Sequence, residues 1–106
     1  MIMQLARILG IATLSTSLTT QYTVPIGATT RITRISIAAG STANGVTIQV
    51  KDSSLNITKN LWNNRSLAAN TTAEIFDLIL ETGDQILAKT TTAIDFDIII
   101  MGIEDI

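Results

Sequence analysis

The chain has no cysteine and no histidine among its 106 residues. Without them there is no disulfide, no thiolate nucleophile, and neither the commonest general base nor the usual zinc ligand. Cysteine nucleophiles, zinc sites, haem ligation and the usual catalytic triads are therefore excluded. Charge is scarce too. Only 15% of residues are Asp, Glu, Lys or Arg, where an ordinary globular chain carries about 25%. Net charge is −2, and the seven basic residues are scattered from Arg7 to Lys89, so no basic stripe tracks a phosphate backbone. Nucleic acid is not an expected partner. Aromatics make up 4%, and Pro25 is the single proline.

What is present is hydrophobic and β-branched. Apolar residues make up 46% of the chain, with Ile and Thr the commonest types. Both suit a pleated, half-buried surface. The length fits one domain, which usually takes about 100–150 residues. A positive mean hydropathy of +0.40 with so few charges predicts that other subunits cover part of the apolar surface. No segment approaches the roughly 18 continuous apolar residues of a membrane helix, so no membrane partner is expected. The opening MIMQLARILGIATLSTS reads poorly as a signal peptide, because Gly10, Thr13 and Ser15 interrupt its apolar run and Arg7 is its only positive charge.

Alternating apolar residues broken by Gly, Asn, Asp and Ser clusters predict about eight short strands in an all-β, antiparallel, jelly-roll-like β-sandwich. Residues 1–106 form its single domain, and residues 1–13 are an N-terminal arm or edge strand. The clearest strand is Val46 to Lys51, with Val46, Ile48 and Val50 facing inward. Thr29 to Ala38 is expected to pair with it as a hairpin across a long loop ending in the positive-φ pair Asn44-Gly45. A closing strand sets Ile94, Phe96, Ile98 and Ile100 on one face and Asp95, Asp97, Ile99 and Met101 on the other. Further strands fall at Ile8 to Leu14, Leu18 to Val24, Leu55 to Leu61, Thr72 to Leu80 and Gln85 to Lys89. Turns fall at Pro25-Ile26-Gly27, Asp52-Ser53-Ser54, Asn63-Asn64-Arg65 and Glu81 to Asp84. The competing reading of Leu67 to Leu80 is a helical turn, which Asn70-Thr71-Thr72 interrupts.

Few residues carry chemistry. Asp95 and Asp97, two apart, have the spacing of a carboxylate pair, but acidic residues on an Ile-rich strand ordinarily oppose edge-to-edge aggregation. Gly83-Asp84 reads as a tight reversal. A Ser or Thr nucleophile would need Lys51, Lys59 or Lys89 as its base, and each is an outward strand residue. No catalytic residue, cofactor or metal ligand is expected, and no enzyme. Trp62, beside Asn63, Asn64 and Arg65, has two readings: a platform for a stacked sugar, or a cap on a core or interface. The sequons at Asn56, Asn64 and Asn70 arise easily in so Asn- and Thr-rich a chain.

The order Tyr22-Thr23-Val24-Pro25-Ile26-Gly27, an Ile-rich strand, a Gly/Ser/Asn loop, Ser66-Leu67-Ala68-Ala69-Asn70, Thr82-Gly83-Asp84-Gln85-Ile86 and Met101-Gly102-Ile103-Glu104 resembles a family of small tailed-bacteriophage virion proteins. The resemblance runs from about Leu9 to Glu104. Asp52 to Asn56 departs from it, being shorter, so that loop is expected to meet a different neighbour. The resemblance implies a virion structural protein in the assembled particle, foremost a capsid cement or decoration protein bound between subunits of the major capsid protein. The alternative is a tail or fibre component that binds a host-surface glycan through Trp62, Asn63, Asn64 and Arg65. Leftover apolar residues predict a homotrimer with contacts at Ile2, Leu5, Ile8, Leu9, Ile11, Ile99, Met101 and Ile103. Assembly is expected in the host cytoplasm.

Overall fold

The computed structural model of the protein describes residues 3–106. Eight strands follow in order: β1 (Gln4–Thr13), β2 (Thr19–Thr23), β3 (Thr29–Ala38), β4 (Asn44–Asp52), β5 (Ile57–Leu67), β6 (Thr72–Leu80), β7 (Gln85–Thr90) and β8 (Asp97–Asp105). They form two four-stranded sheets, a front sheet ordered β1-β8-β3-β6 and a back sheet ordered β2-β7-β4-β5. Every pairing is antiparallel. The pairs β1·β8, β2·β7, β3·β6 and β4·β5 each join the first half of the chain to the second. The chain is thus one long hairpin, closed at the β4–β5 turn and rolled over itself, with β3·β8 and β4·β7 completing the sheets. That is a jelly roll.

The alternation explains the layering. β8 buries Ile98, Ile100, Gly102 and Glu104, and β7 buries Ile86, Ala88 and Thr90. β3 buries Thr30 and Ile32, then Ile35 and Ile37, so one residue too many lies between the pairs. Thr33 is that residue, and its hydroxyl donates to the Met101 carbonyl at 3.1 Å. The facing strand β6 carries a matching extra residue, Asp77, at φ 56°. The two bulges keep both strands in register. Among the described residues, Asp105 Oδ1 is the only buried side-chain polar atom without a partner. The other buried side-chain polar groups are thus satisfied within one chain.

Local signals and long-range pairing part company in three places. β3 and β4 do not form a hairpin; they lie in opposite sheets, and residues 39–43 cross between the layers. Asn63-Asn64-Arg65 is not a chain reversal but the interior of β5, where Asn64 takes φ 50° at a bulge opposite β4. Ile94 does not join the inward face of β8; it is exposed in the loop before that strand, while Phe96 is buried. Among the described residues, positive φ falls at Gly27, Gly83 and four non-glycine residues, not at Gly45. Three of the four are the sequon asparagines Asn56, Asn64 and Asn70. Asparagine tolerates the left-handed region well, so backbone geometry accounts for those residues.

The Gly83-Asp84 reversal holds as a turn, with Gly83 at φ 84°. Asp84 is buried and accepts bonds from Ser53 N (2.9 Å), Ser53 Oγ (3.2 Å) and Glu81 N (2.9 Å), which clamps the β4–β5 turn to the β6–β7 turn. Of residues 1–13, expected as an arm or edge strand, residues 1 and 2 lie outside the described residues, and Gln4–Thr13 form an edge strand of the front sheet. Met3 and Ile106 extend its pairing with β8 by two backbone hydrogen bonds of 2.8 Å.

Candidate functional site

The two sheets are tied by a polar cluster at one end of the sandwich. Glu104 of β8, 1% exposed, accepts a hydrogen bond from the Tyr22 hydroxyl at 2.6 Å and is bridged to Arg7 of β1. Tyr22 also meets Thr30 of β3 at 2.8 Å. Tyr22 belongs to the back sheet, and the other three members of the cluster, Glu104, Thr30 and Arg7, to the front. Burial pushes the Tyr22 phenol up to about 12, and the hydrogen bond to Glu104 adds to the rise. This cluster escaped sequence reading because its members lie as many as 97 positions apart.

The outer face of the front sheet carries rows set by register. Ile8 of β1, Met101 of β8, Arg34 of β3 and Phe76 of β6 form one; Ala6, Ile103, Arg31 and Ile79 form the next; Ile11 and Ile99 pair beyond them. Ile11 is 70% exposed and Ile79 77%, with Ile8 and Phe76 also more than half exposed. Ala6, Ile8, Thr33, Met101 and Ile103 line a shallow groove of about 400 Å³. Between the apolar strips, Arg31 pairs with Asp77 and Arg34 with Glu74, each at 3.2 Å. Of the predicted contact residues, Ile8, Ile11, Ile99, Met101 and Ile103 lie on this outer face. Leu5 does not: it pairs with Glu104 on the inward side. Leu9 packs against the core, and Ile2 lies outside the described residues.

The outer face of the back sheet is polar. Thr47 and Gln49 of β4, Asn60, Asn63 and Asn64 of β5, Lys89 of β7 and the adjacent Thr91 line a depression of about 390 Å³. The β5 bulge turns Asn64 toward Thr47 and Thr91, so a signal read as a turn builds part of this wall. Gly45 leaves room for it, since a methyl group there would overlap the Asn64 carboxamide. Trp62 does not join this surface. It is 9% exposed, packed in the core opposite Ile48, with the Arg65 guanidinium 4.5 Å from its ring centroid. No free ring face is left for a stacked sugar, so the platform expected from Trp62 and Arg65 is not formed.

The acidic residues are engaged separately. Asp95 accepts from Ser41 N at 3.0 Å and Asp97 from Thr13 Oγ1 at 2.8 Å, so the two carboxylates do not act as a pair. Asp52 accepts from Ser54 Oγ (2.7 Å), Ser54 N (2.9 Å) and Leu55 N (3.0 Å), and these bonds, that from the Ser54 hydroxyl foremost, hold its carboxyl below the usual range. Its role is to cap the β4–β5 turn.

No family model and no curated protein matches the chain. Solved structures do. A chain in the structure of infectious bursal disease virus, Gx strain, is 12% identical at a TM-score of 0.45, aligned over 99% of this chain and 31% of its own. A pentameric capsid protein from metagenomic phage sequences is 21% identical at a TM-score of 0.35, over 97% and 59%. A chain of the Gt strain of the bursal disease virus is 15% identical at a TM-score of 0.39, over 98% and 30%. The chain spans less than two thirds of each.

Proposed function

We propose that the chain is a non-enzymatic structural component of a virus particle, a cement or decoration protein that self-associates as a homotrimer and binds between subunits of the assembled shell. The observation that carries this reading is the outer face of the front sheet, where large apolar side chains stand exposed on the side away from the core. Each Å² of such surface removed from water contributes about 25 cal/mol. A stable interface takes roughly 800 Å² from each partner, and a molecule of 47 × 27 × 18 Å has room for that on its broad side.

A protein that binds only the assembled shell stabilises it by mass action, with no titratable site required. Jelly rolls build viral shells and lectins alike, so topology does not choose between them. The choice rests on the greasy outer face, on the turn motifs that resemble tailed-phage virion proteins, and on the burial of Trp62. Light scattering during size-exclusion chromatography should give three times the 11.4 kDa chain mass. Co-sedimentation should retain the protein on expanded empty shells of its particle but not on free shell subunits. A monomer at micromolar concentration that ignores assembled shells overturns the reading.

A further inference from the structure

We propose that the depression on the outer face of the back sheet binds an acidic saccharide, with Lys89 and the Asn63 carboxamide meeting the sugar's carboxylate. This does not rest on the assembly reading, which concerns the opposite face.

Several hydrogen-bonding groups of the wall are already spent on one another. Gln49 Nε2 donates to Asn60 Oδ1 at 3.0 Å, Thr91 Oγ1 donates to Asn64 Oδ1 at 2.5 Å, and Asn64 N donates to Thr47 Oγ1 at 3.0 Å. The carboxamide oxygens of Asn60 and Asn64 and the Thr47 hydroxyl oxygen thus each already accept one bond within the wall. The donors that stay open are the NH₂ groups of Asn60, Asn63 and Asn64, the Thr47 hydroxyl proton and the Lys89 ammonium. Lys89 takes part in no ion pair among the described residues, and no Asp or Glu lines the depression. A concavity rich in donors, with one cation and no carboxylate, favours an anion.

Size and wall chemistry narrow the anion to a sugar. At about 390 Å³ the depression lies within the range of small-molecule sites, and a lone carboxylate or phosphate would leave most of it to water. A sugar ring supplies hydroxyls, which both donate and accept, and so serves the acceptors that remain, among them Gln49 Oε1. The wall is also fixed. Its residues stand on β4, β5 and β7, and Asn44 Oδ1 holds the Thr91 segment by accepting from Thr91 N (3.1 Å) and Thr92 N (3.0 Å). A site on paired strands is positioned before its ligand arrives.

Calorimetric titration of the full chain with an oligogalacturonate, a neutral galactose oligomer of the same length and inorganic phosphate tests this. The acidic oligomer should bind, the neutral one at least about tenfold more weakly, and phosphate alone should not compete. Lys89→Gln should weaken the acidic oligomer about tenfold without changing the melting temperature, and Asn63→Ala should weaken it less. Lys51→Gln removes the same charge from the same outer face beyond the depression and should change nothing. Equal binding of neutral and acidic oligomers, competition by phosphate, an equal loss in Lys51→Gln, or no binding up to millimolar concentration each overturns the proposal.

Discussion

The two sheets present similar inner faces and opposite outer ones. Inward, Ile35 and Ile100 of the front sheet meet Ile48 and Ile86 of the back sheet, all fully buried. Outward, the front sheet shows isoleucines and Met101, while the back sheet shows amides, hydroxyls and Lys89. Because strand residues alternate in direction, the positions that make the fold and those that face a partner are interleaved in one stretch of sequence. Folding chiefly constrains the first set, which leaves the second free to differ between the two sheets.

That contrast can be broken from the inside outward. Ile35→Ala and Ile48→Ala should each cost about 2–5 kcal/mol of unfolding free energy, and denaturant titration should find no systematic difference between the sheets. Next comes the tie between them. Tyr22→Phe removes a buried hydrogen bond to Glu104 and should cost about 1–3 kcal/mol. It also changes the pH response. The phenol titrates at 10.0 when unfolded and about 12 when folded, so the folded state holds its proton more tightly. That stabilisation is complete below pH 10 and is lost as pH rises through about 12. Thermal melts across that interval should show the decline in the parent chain and not in Tyr22→Phe.

On the outer faces the effects on stability shrink and other readouts take over. Ile8→Lys together with Ile11→Lys should change chain stability by no more than about 0.5 kcal/mol each, yet light scattering should find a monomer. Thr20→Lys, on the outer face of the back sheet, should leave the oligomer intact. The smallest effect belongs to Lys89→Gln, which should alter neither the melting curve nor the mass. A Lys89→Gln variant that fell apart into monomers would erase the distinction between the faces.

Much of the architecture was legible in the sequence. The number and order of the strands and the Gly83-Asp84 turn follow from local rules, alternation and turn chemistry. Bounds shifted where pairing overrode them: β1 begins at Gln4 and not Ile8, and β5 runs on to Leu67 through the expected Asn63 turn. Partners of each strand were less legible, because pairing is long-range: the strong Val46 to Lys51 pattern says which side faces inward and nothing about which neighbour lies alongside. Asparagine misled for a related reason. The left-handed backbone it accepts serves turns and bulges equally, so Asn64 reads as a reversal but sits within β5. Of the candidate residues, Ile99 and Met101 were placed by simple alternation. Leu5 and Leu9 were not, because the β1 register shifts between Ile8 and Gly10. The polar depression was the least legible, since it needs three strands and a bulge to bring Thr47, Asn64, Lys89 and Thr91 to one place.

The bonds between Met3 and Ile106 carry a mechanical consequence. Both ends of the described chain leave the same corner, on adjacent antiparallel strands. A load applied between those ends would therefore peel β1 from β8 one rung at a time, like a zipper, instead of shearing the whole ladder at once. Anchored through its broad face the protein can resist strain; tethered by its ends it yields at low force, starting from that seam.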